Sequence, residues 1–441
     1  MSRADDTIYA LSSGAPPAGV AVVRVSGAGV PALVGTICGE LPVPRTATVR
    51  WIRDRNGHAI DQALVLFFPT PRSFTGQDCV EFHLHGGRAV VSAMLGLLSA
   101  YGLRHAEAGE FSRRAFDNGK LDLVEIEGLA DLISAETEMQ RRLAIEQTNG
   151  GLSELYQSWM RQLTRARALI EAELDFPEED DVPGSVSDVV WKMVDEIASG
   201  ISSHLAGHKS AEIIRDGFKV VIAGRPNAGK SSLLNALAKR DVAIVTEVAG
   251  TTRDVISVDL DLSGYLVKLM DTAGLRETDD RVEAEGVRRT RLSLSNADLV
   301  LLLKDGNESG PYEEIGVNAD ILKVRTKMDI GVLAAAGDDA DQLDISSVTG
   351  AGIDSLTKRI YEMASRSAGS LGSVMVARQR QADLLLEALN ILEECRRKDS
   401  LDLDLRAEYL RQASHILGKL TGFVDVEDLL DVIFSEFCIG K

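Results

Sequence analysis

The pattern of hydrophobic and polar residues divides the 441-residue chain into segments of different predicted structure. Over residues 1–118, short apolar runs such as 18–27 and 63–69 alternate with turn residues, which predicts strands. Apolar residues between Gly87 and Gly102 recur at helical spacing. This part of the chain is therefore predicted to form a small α+β domain.

The apolar period becomes helical from residue 119 onwards. Leu121 and Val124 begin an apolar stripe, and Asn149-Gly150-Gly151 predicts the end of a helix. The acidic, proline-bounded stretch 176–184 is predicted to be a linker. Further helices are predicted at 152–174, 186–208 and from 376 to the end of the sequence.

Predicted strands alternate with helical patterns between residues 212 and 366, which is typical of a mostly parallel α/β sheet. The strands are predicted at 218–224, 265–271, 298–304, 320–327 and 342–346. Because helical patterns lie on both sides, we expect an α/β domain inserted in an all-α domain. The predicted boundaries are 1–118 for the N-terminal domain, 119–212 and 370–441 for the discontinuous helical domain, and 213–366 for the inserted domain.

The first strand of the inserted domain runs into a phosphate-binding loop. Residues 224–231 fit the G-x-x-x-x-G-K-[ST] pattern between a strand and a helix. Glycines let backbone amides wrap a phosphate chain at the positive end of the helix. Lys230 is placed to reach the β and γ phosphates, and Ser231 to bind Mg²⁺. The loop therefore predicts binding of a nucleoside triphosphate.

Two motifs after this loop predict contacts to the γ-phosphate and its metal ion. AGTTRD at 249–254 offers a threonine that can bind Mg²⁺. DTAG at 271–274 ends a predicted strand, so Asp271 can act on the Mg²⁺ shell and the Gly274 amide on the γ-phosphate. The order of the motifs is that of the GTPase superfamily, an α/β P-loop fold.

Two later motifs predict that the base is guanine. Asp329, in TKMD, would accept hydrogen bonds from the guanine ring N–H and amino group, which adenine cannot offer. Residues 346–348 follow the last predicted strand and would lie behind the base. The base-reading motif usually begins with Asn, and here it begins with Thr326. We expect guanine specificity to survive because Asp329 is present, with some loss of packing against the phosphate loop.

The group that orients the attacking water is not identified by the motifs. Ras-like enzymes use a Gln directly after the glycine of the third motif, but here Leu275 stands in that place. Arg253 and Arg276 are nearby, without a clear arginine finger. Spacing alone does not choose among the carboxylates that follow, which are Glu277, Asp279, Asp280, Glu283 and Glu285.

Composition narrows the range of partners. The net charge of −19 argues against a broad electrostatic grip on nucleic acid or an anionic membrane. The four cysteines are far apart and form no C-x-x-C pair, so neither a disulfide framework nor a zinc site is predicted. The N-terminus has no secretory signal pattern, and no apolar run approaches the roughly 18 residues of a membrane span. We expect a cytoplasmic protein with no membrane partner.

Polar residues in predicted strands of the N-terminal domain leave two questions open. Glu81, His83 and His85 alternate along one strand, so all three would lie on one face, as a metal site or as a solvated surface. Arg24 lies inside an apolar strand, where a charge needs a partner or a ligand.

Several motifs outside the nucleotide loops give the chain a wider resemblance. They include DTIYAL and GVAVVRVSG, SFTGQDCVEFHLHGG, GEFSRRAFDNGKLDL, DTAGLRETDDRVEAEG and the terminal CIGK. With these motifs the chain resembles, end to end, the tRNA-modification GTPases of the MnmE (TrmE) family. The resemblance implies a homodimer that forms a heterotetramer with the flavoprotein MnmG (GidA). That complex modifies C5 of the wobble uridine of certain tRNAs.

The resemblance also implies roles for individual residues of the GTPase domain. Glu283 matches a glutamate that positions the hydrolytic water, and Ser231 and Thr252 match the Mg²⁺ ligands. A K⁺ ion takes the place of an arginine finger in the family. The residues that match its ligands are Asn227, Thr246, Val248 and Thr251. The full predicted GTP-binding set is Asn227, Ala228, Gly229, Lys230, Ser231, Ser232, Thr246, Glu247, Val248, Ala249, Gly250, Thr251, Thr252, Asp271, Thr272, Ala273, Gly274, Thr326, Lys327, Asp329, Ser346, Ser347 and Val348.

The N-terminal domain resembles the family's folate-binding and dimerisation module. The ligand would be 5-formyl- or methylene-tetrahydrofolate, the source of a one-carbon unit, and its matching residues are Arg24, Glu81, Lys120 and Lys441. A ligand polar group would then be the partner that Arg24 needs. Cys438 matches a cysteine of the C-terminal motif, and its thiol is either catalytic or a small buried group.

Two other functions compete with this interpretation. A regulatory GTPase of the ribosome-assembly type would dock on RNA, but it would need a basic RNA-binding module that the acidic chain does not suggest. An ATP-driven motor conflicts with Asp329 and with the DTAG motif.

Overall fold

A computed structural model describes most of the chain. The described residues are 6–175, 186–240, 242–244, 257–271, 292–308, 311–312, 315–330, 342–369, 375–397, 402–424, 430, 433, 434, 437 and 440. Two compact units are present. The first comprises residues 1–130, 153–161 and 414–441, and the second comprises residues 131–152 and 162–413.

The first unit contains a six-stranded sheet, so the predicted α+β domain is confirmed. Its spatial order is β3-β4-β5-β2-β1-β6, with antiparallel neighbours except for the parallel pair β1–β6. The strands are β1 Ile8–Leu11, β2 Val20–Ser26, β3 Thr48–Arg53, β4 Ala59–Phe68, β5 Cys79–His85 and β6 Arg104–His105. The helices are α1 Val30–Cys38, α2 Arg88–Ala100 and α3 Glu110–Asp117.

Alternation along β2 and β5 separates the core from the polar face. Val23 and Val25 are buried with Phe82 in the core of this sheet, whereas Arg24 points to the other face. The register of the antiparallel pair places Arg24 directly opposite Glu81. Residues directly opposite on one face are close enough for their side chains to pair. The lone charge noted in the sequence therefore has a partner within the chain.

A network of four charged side chains anchors the start of the chain. The Arg104 guanidinium donates to Asp6 at 2.6 Å and to Glu110 at 2.5 Å. The Arg114 guanidinium, which is 4% exposed, donates to Asp6 at 2.7 Å and to Glu110 at 3.1 Å. Each carboxylate therefore bridges two cations, which makes burial of the charges tolerable.

Helices lie before and after the second sheet in the sequence, as expected for an inserted domain. They are α4 Leu123–Ser134, α5 Glu138–Thr148, α6 Gly151–Asp175, α7 Val186–Ala206 and α8 His208–Asp216 before it, and α11 Gln379–Arg397 and α12 Leu403–Thr421 after it. The predicted break at Asn149-Gly150-Gly151 is confirmed, because Gly150 has φ +79° and separates α5 from α6. No helix in the described ranges is both long and apolar enough to cross a bilayer.

The sheet of the second unit has the order β12-β11-β10-β7-β9-β8. All neighbours are parallel except the antiparallel pair β8–β9, so the predicted mostly parallel sheet is confirmed. Its strands are β7 Phe218–Gly224, β8 Ser257–Leu262, β9 Tyr265–Asp271, β10 Leu299–Asp305, β11 Asp320–Thr326 and β12 Gln342–Asp344. The helices α9 Lys230–Ala238 and α10 Ile353–Ala368 pack into the same core.

Replacement of Glu110 by Gln is expected to lower the free energy of unfolding at pH 7 by about 2 kcal/mol, since hydrogen bonds to charged partners are lost. Burial raises the pKa of Glu110, but the hydrogen bonds from Arg104 and the Glu107 amide, together with the charges of Arg104 and Arg114, outweigh burial and hold that pKa below its usual value. The stabilisation is therefore present above the unfolded pKa and is lost as the pH falls through the lower folded pKa. Urea unfolding followed by circular dichroism tests this, and equal stability of variant and wild type at pH 7 would contradict it.

Candidate nucleotide-binding site

The loop between β7 and α9 has the backbone conformation that its glycines allow. Gly224 has φ +143°, and a Cβ on it would lie 2.4 Å from the Leu303 carbonyl oxygen. Gly229 has φ +87° and precedes the first residue of α9. Asn227 has φ +66° and is exposed in the loop. Only glycine fits at Gly224, because the neighbouring strand approaches the loop so closely there.

Lys230 is folded into this loop and is 8% exposed. Its ammonium group donates hydrogen bonds to the carbonyl oxygens of Gly224 and Arg225, each at 2.9 Å. These contacts hold a positive charge at the mouth of the loop, beside the first turn of α9. The loop thus combines the lysine ammonium group, glycines with positive φ and a helix N-terminus, and these three features together suit the binding of a polyphosphate.

Ser231 and Asp271 meet at the ends of neighbouring structural elements. The Ser231 hydroxyl donates to Asp271 Oδ2 at 2.8 Å, and Asp271 is 1% exposed at the carboxyl end of β9. The parallel pairing of β7 with β9 places Asp271 opposite Ile222, two residues before the end of β7. Hydroxyl and carboxylate oxygens are ligands that Mg²⁺ prefers, so this pair fits a magnesium ion.

Thr326 bonds directly to the phosphate loop. Its hydroxyl lies 2.8 Å from the Ala228 carbonyl oxygen and 3.3 Å from the Lys304 carbonyl oxygen, and the residue is 1% exposed. Thr326 therefore does contact the phosphate loop, and the expected loss of packing relative to Asn stays a prediction. The short threonine side chain reaches the loop because β11 ends beside Gly229. An ideal Cβ on Gly229 would lie 3.4 Å from the Thr326 hydroxyl oxygen.

The residues predicted to read guanine form a second hydrogen-bonded group. The Ser346 hydroxyl donates to Asp329 Oδ1 at 2.6 Å and accepts the amide of Thr349 at 3.1 Å. Lys327 has φ +58°, and its ammonium group donates to Asp305 at 2.7 Å. Asp329 is thereby held in place while remaining exposed at the surface. Asp305 was not among the predicted site residues, although its position at the carboxyl end of β10 is where such a sheet binds ligands.

Other predicted GTP-binding residues line one cleft. Ser232 of α9 and Ser347 and Val348 of the loop after β12 face a cleft of about 420 Å³, which Lys239 also lines. Val348 is 83% exposed. The structure therefore brings Ser232, which directly follows the phosphate-loop motif, together with the predicted base-binding loop in one cleft.

Some predicted residues lie outside the described part of the chain. They are the proposed K⁺ ligands other than Asn227, the AGTTRD motif before β8, the part of the DTAG motif after Asp271, the proposed water-positioning glutamate and the residues implied at the C-terminus. By number they are Thr246, Glu247, Val248, Ala249, Gly250, Thr251, Thr252, Thr272, Ala273, Gly274, Glu283, Cys438 and Lys441, together with the predicted linker 176–184.

A second polar group lies on the sheet of the first unit. The Arg24 guanidinium donates twice to Glu81 Oε1, at 3.0 and 2.9 Å, and lies over the rings of Phe74 and Phe111 at 5.3 and 5.7 Å. Lys120 is exposed, and its side chain lies against the loop that carries Phe74. An ideal Cβ on Gly76 of that loop would be 3.2 Å from Lys120 Cε. Neither phenylalanine was among the predicted ligand residues, although both lie in motifs that carry the family resemblance.

The two histidines of β5 have separate partners. His83 Nε2 lies 3.4 Å from Glu81 Oε2, whereas His85 Nδ1 lies 2.7 Å from Asp61 Oδ1. Across the residues that the structure describes, no three His, Cys, Asp or Glu side chains group as metal ligands would. The alternative of a metal site on this strand face has no support in that part of the chain.

The phosphate loop, the Ser231–Asp271 pair and the bonded Asp329 together define a P-loop GTPase. A family model described as the MnmE helical domain matches residues 123–438, and one described as the GTP-binding protein TrmE N-terminus matches residues 7–120. The chain belongs to the MnmE family of tRNA modification GTPases. It is accordingly a GTP-hydrolysing enzyme with a role in tRNA modification.

Individual relatives match over the full length. The tRNA modification GTPase MnmE of Rhizobium meliloti (strain 1021) is 60% identical over 438 residues, covering 99% of each chain. The protein of that name from Rhizobium johnstonii is 57% identical over 442 residues, covering 100% of each chain. Among solved structures, the G domain of the T. maritima FeoB iron transporter matches 33% of this chain and 97% of its own, at 25% identity and a TM-score of 0.24.

The contact of Thr326 with the phosphate loop gives a direct prediction. Thr326→Val should weaken GTP binding about tenfold, because the buried Ala228 carbonyl loses its donor at little change in side-chain volume. Thr326→Ser keeps the hydroxyl and should bind GTP nearly as well as the wild type. Calorimetric titration with GTP measures both variants, and equal affinities of the Val and Ser variants would contradict this role.

Proposed function

We propose that the chain is a potassium-stimulated GTPase that, with the flavin-dependent partner MnmG, modifies C5 of the wobble uridine of certain tRNAs. The group installed would be carboxymethylaminomethyl or aminomethyl, and its one-carbon unit would come from 5-formyl- or methylene-tetrahydrofolate. GTP hydrolysis would drive the cycle of the complex. The observation that carries this proposal is the full-length similarity to tRNA modification GTPases, combined with the Ser231–Asp271 and Asp329–Ser346 contacts.

The phosphate end of the site supports a role for Mg²⁺. The side-chain oxygens of Ser231 and Asp271 lie 2.8 Å apart, and the ammonium group of Lys230 is held in the adjoining phosphate loop. In our proposal Ser231 and Thr252 hold Mg²⁺, with Asp271 acting on its hydration shell. A bound Mg²⁺ ion neutralises charge on the β and γ phosphates. The protein's own contribution is to orient these oxygens before the nucleotide arrives.

Guanine selection would come from Asp329. Its carboxylate accepts a hydrogen bond from Ser346 on one oxygen, and a carboxylate has further lone pairs for the two guanine donors. Adenine has no donor at the matching ring nitrogen. Lys327, held by Asp305 at 2.7 Å, would flank the base.

We propose that K⁺ occupies the place of an arginine finger. Asn227 is exposed with a positive φ, so its side chain is accessible at the edge of the phosphate loop. Thr246, Val248 and Thr251 would complete the K⁺ ligands. A fixed cation near the β–γ bridge would stabilise the charge that develops in the transition state. Glu283 is proposed to position the attacking water.

We propose that the Arg24–Glu81 pair forms the floor of the folate site. A carboxylate can accept hydrogen bonds from the amino group and ring N–H of a pterin, and the adjacent, half-buried Phe74 offers apolar surface for its flat ring. Lys120 and Lys441 would complete the site. Cys438 remains a proposed catalytic thiol.

The oligomeric state, the cellular location and the domain boundaries of the chain are also proposals. We propose a homodimer that joins MnmG in a heterotetramer and acts in the cytoplasm, where tRNA is the substrate of the complex. The proposed domains are 1–118, 119–212 with 370–441, and 213–366.

The rate of GTP hydrolysis is expected to depend on the monovalent cation. In K⁺ the rate should exceed that in Na⁺ by at least about tenfold, because a cation of the wrong size leaves the β–γ charge poorly neutralised. Asn227→Ala should lower the K⁺ rate toward the Na⁺ rate without abolishing GTP binding. Equal rates in the two salts would refute the potassium site.

Loss of the protein should leave the wobble uridine of its substrate tRNAs without the C5 group. Nucleoside analysis of tRNA from a deletion strain measures this, with the same strain carrying the wild-type gene as control. Complementation with Glu81→Gln should restore less of the modified nucleoside than the wild type if the folate proposal holds. A fully modified tRNA pool in the deletion strain would instead favour a regulatory GTPase of the ribosome-assembly type.

A further inference from the structure

Helix α5 contacts β9 and α8, the helix that directly precedes β7, although it lies about 75 residues before the phosphate loop in the sequence. Strand β7 leads to the phosphate loop and to Ser231, and β9 ends in Asp271. The distance between the Ser231 hydroxyl and the Asp271 carboxylate therefore depends on how β7 and β9 are placed relative to each other. Helix α5 bonds to the segment immediately before each of these strands.

The first contact joins α5 to the hairpin between β8 and β9. The amide of Met139 donates to the Gly264 carbonyl oxygen at 3.0 Å. This amide is in the first turn of α5, where an N–H has no partner inside the helix. Ser263 and Gly264 have φ +54° and +92°, and Leu262 pairs with Tyr265, so the turn is a tight two-residue turn. An ideal Cβ on Gly264 would lie 3.4 Å from Glu138 Cβ.

The second contact joins α5 to the end of α8, one residue before β7. Gln140 Nε2 donates to the Arg215 carbonyl oxygen at 2.8 Å, which caps the last turn of α8. The Oε1 atom of the same side chain accepts the Thr137 amide at 3.1 Å, which caps the first turn of α5. One glutamine thus fixes both helix ends at once.

Packing makes these contacts stiff. Leu143 of α5 is 3% exposed and lies in the same apolar core as Leu262 and Leu269 of the hairpin and Phe218 of β7. Met139 and Tyr265 pack against that core at its edge. A shift of α5 would therefore move the strands rather than slide over them, because close-packed interiors transmit displacement.

We propose that Gln140 and the Met139 amide of α5 are positioning groups, which hold β7 and β9 so that Ser231 and Asp271 together receive Mg²⁺. The inference rests on the magnesium site proposed above. Neither group touches the nucleotide, so the effect acts through the strands. Binding of Mg²⁺ and nucleotide should in return tighten the contacts of α5, because coupling between two sites is reciprocal.

The test measures how much Mg²⁺ improves the affinity for a non-hydrolysable GTP analogue, as the ratio of dissociation constants in EDTA and in Mg²⁺. Gly264→Asn keeps a residue that tolerates positive φ but adds bulk toward Glu138. Gln140→Glu keeps the cap of α5 and loses the donor to Arg215. Each variant should lower the ratio about fivefold to tenfold and leave affinity in EDTA unchanged.

Gly57→Asn is the matched control. Gly57 is also a hairpin glycine, with φ +84°, and no atom lies within 4 Å of its ideal Cβ. Its ratio should equal that of the wild type. A ratio unchanged in both Gly264→Asn and Gln140→Glu would overturn the inference, whereas no Mg²⁺ effect in the wild type would remove the magnesium site itself.

Hydrogen exchange of the wild-type chain gives a measurement that needs no variant. Adding Mg²⁺ and the analogue should slow exchange of the Met139 amide at least about threefold, whereas adding the analogue in EDTA should not. Equal exchange in all three states would contradict the coupling.

Discussion

The hydrogen bond from Ser231 to Asp271 is the contact on which the nucleotide site depends. It joins the first turn of α9 to the end of β9, and it exists only because β7 and β9 pair in parallel with Asp271 opposite Ile222. The carboxylate is almost fully buried, so the energetic cost of its charge must be met by a donor or a cation. A buried carboxylate with a hydroxyl beside it is a preformed place for a hard metal ion.

The other parts of the site are attached to the same sheet edge by short polar links. Thr326 ties β11 to the phosphate loop through the Ala228 carbonyl oxygen, and Ser346 ties Asp329 to the loop after β12. Lys327 adds a link to Asp305 at the end of β10. Parallel strands bring these residues to one edge, and each link fixes a group that would otherwise vary with its loop.

Much of this arrangement could be predicted from the sequence because its signals are local. Strands β7 and β9 were predicted with the bounds that the structure has, since both are apolar runs closed by motif residues. Strand β8 was missed, although Val258, Leu260 and Leu262 alternate with Asp259 and Asp261, a pattern that favours a half-buried strand. The Arg24–Glu81 pair depends on the register between β2 and β5, and the Thr326 link on how close β11 lies to the loop. Both are tertiary facts that spacing along the chain does not encode.

A double-mutant cycle at Ser231 and Asp271 tests the proposed magnesium site most directly. The measured quantity is the gain in GTP-analogue affinity that Mg²⁺ provides, for the wild type, Ser231→Ala, Asp271→Asn and the double variant. If the two side chains act as one site, each single variant loses most of the gain and the double variant loses little more. Losses that add independently, or a full gain in either single variant, would contradict the account.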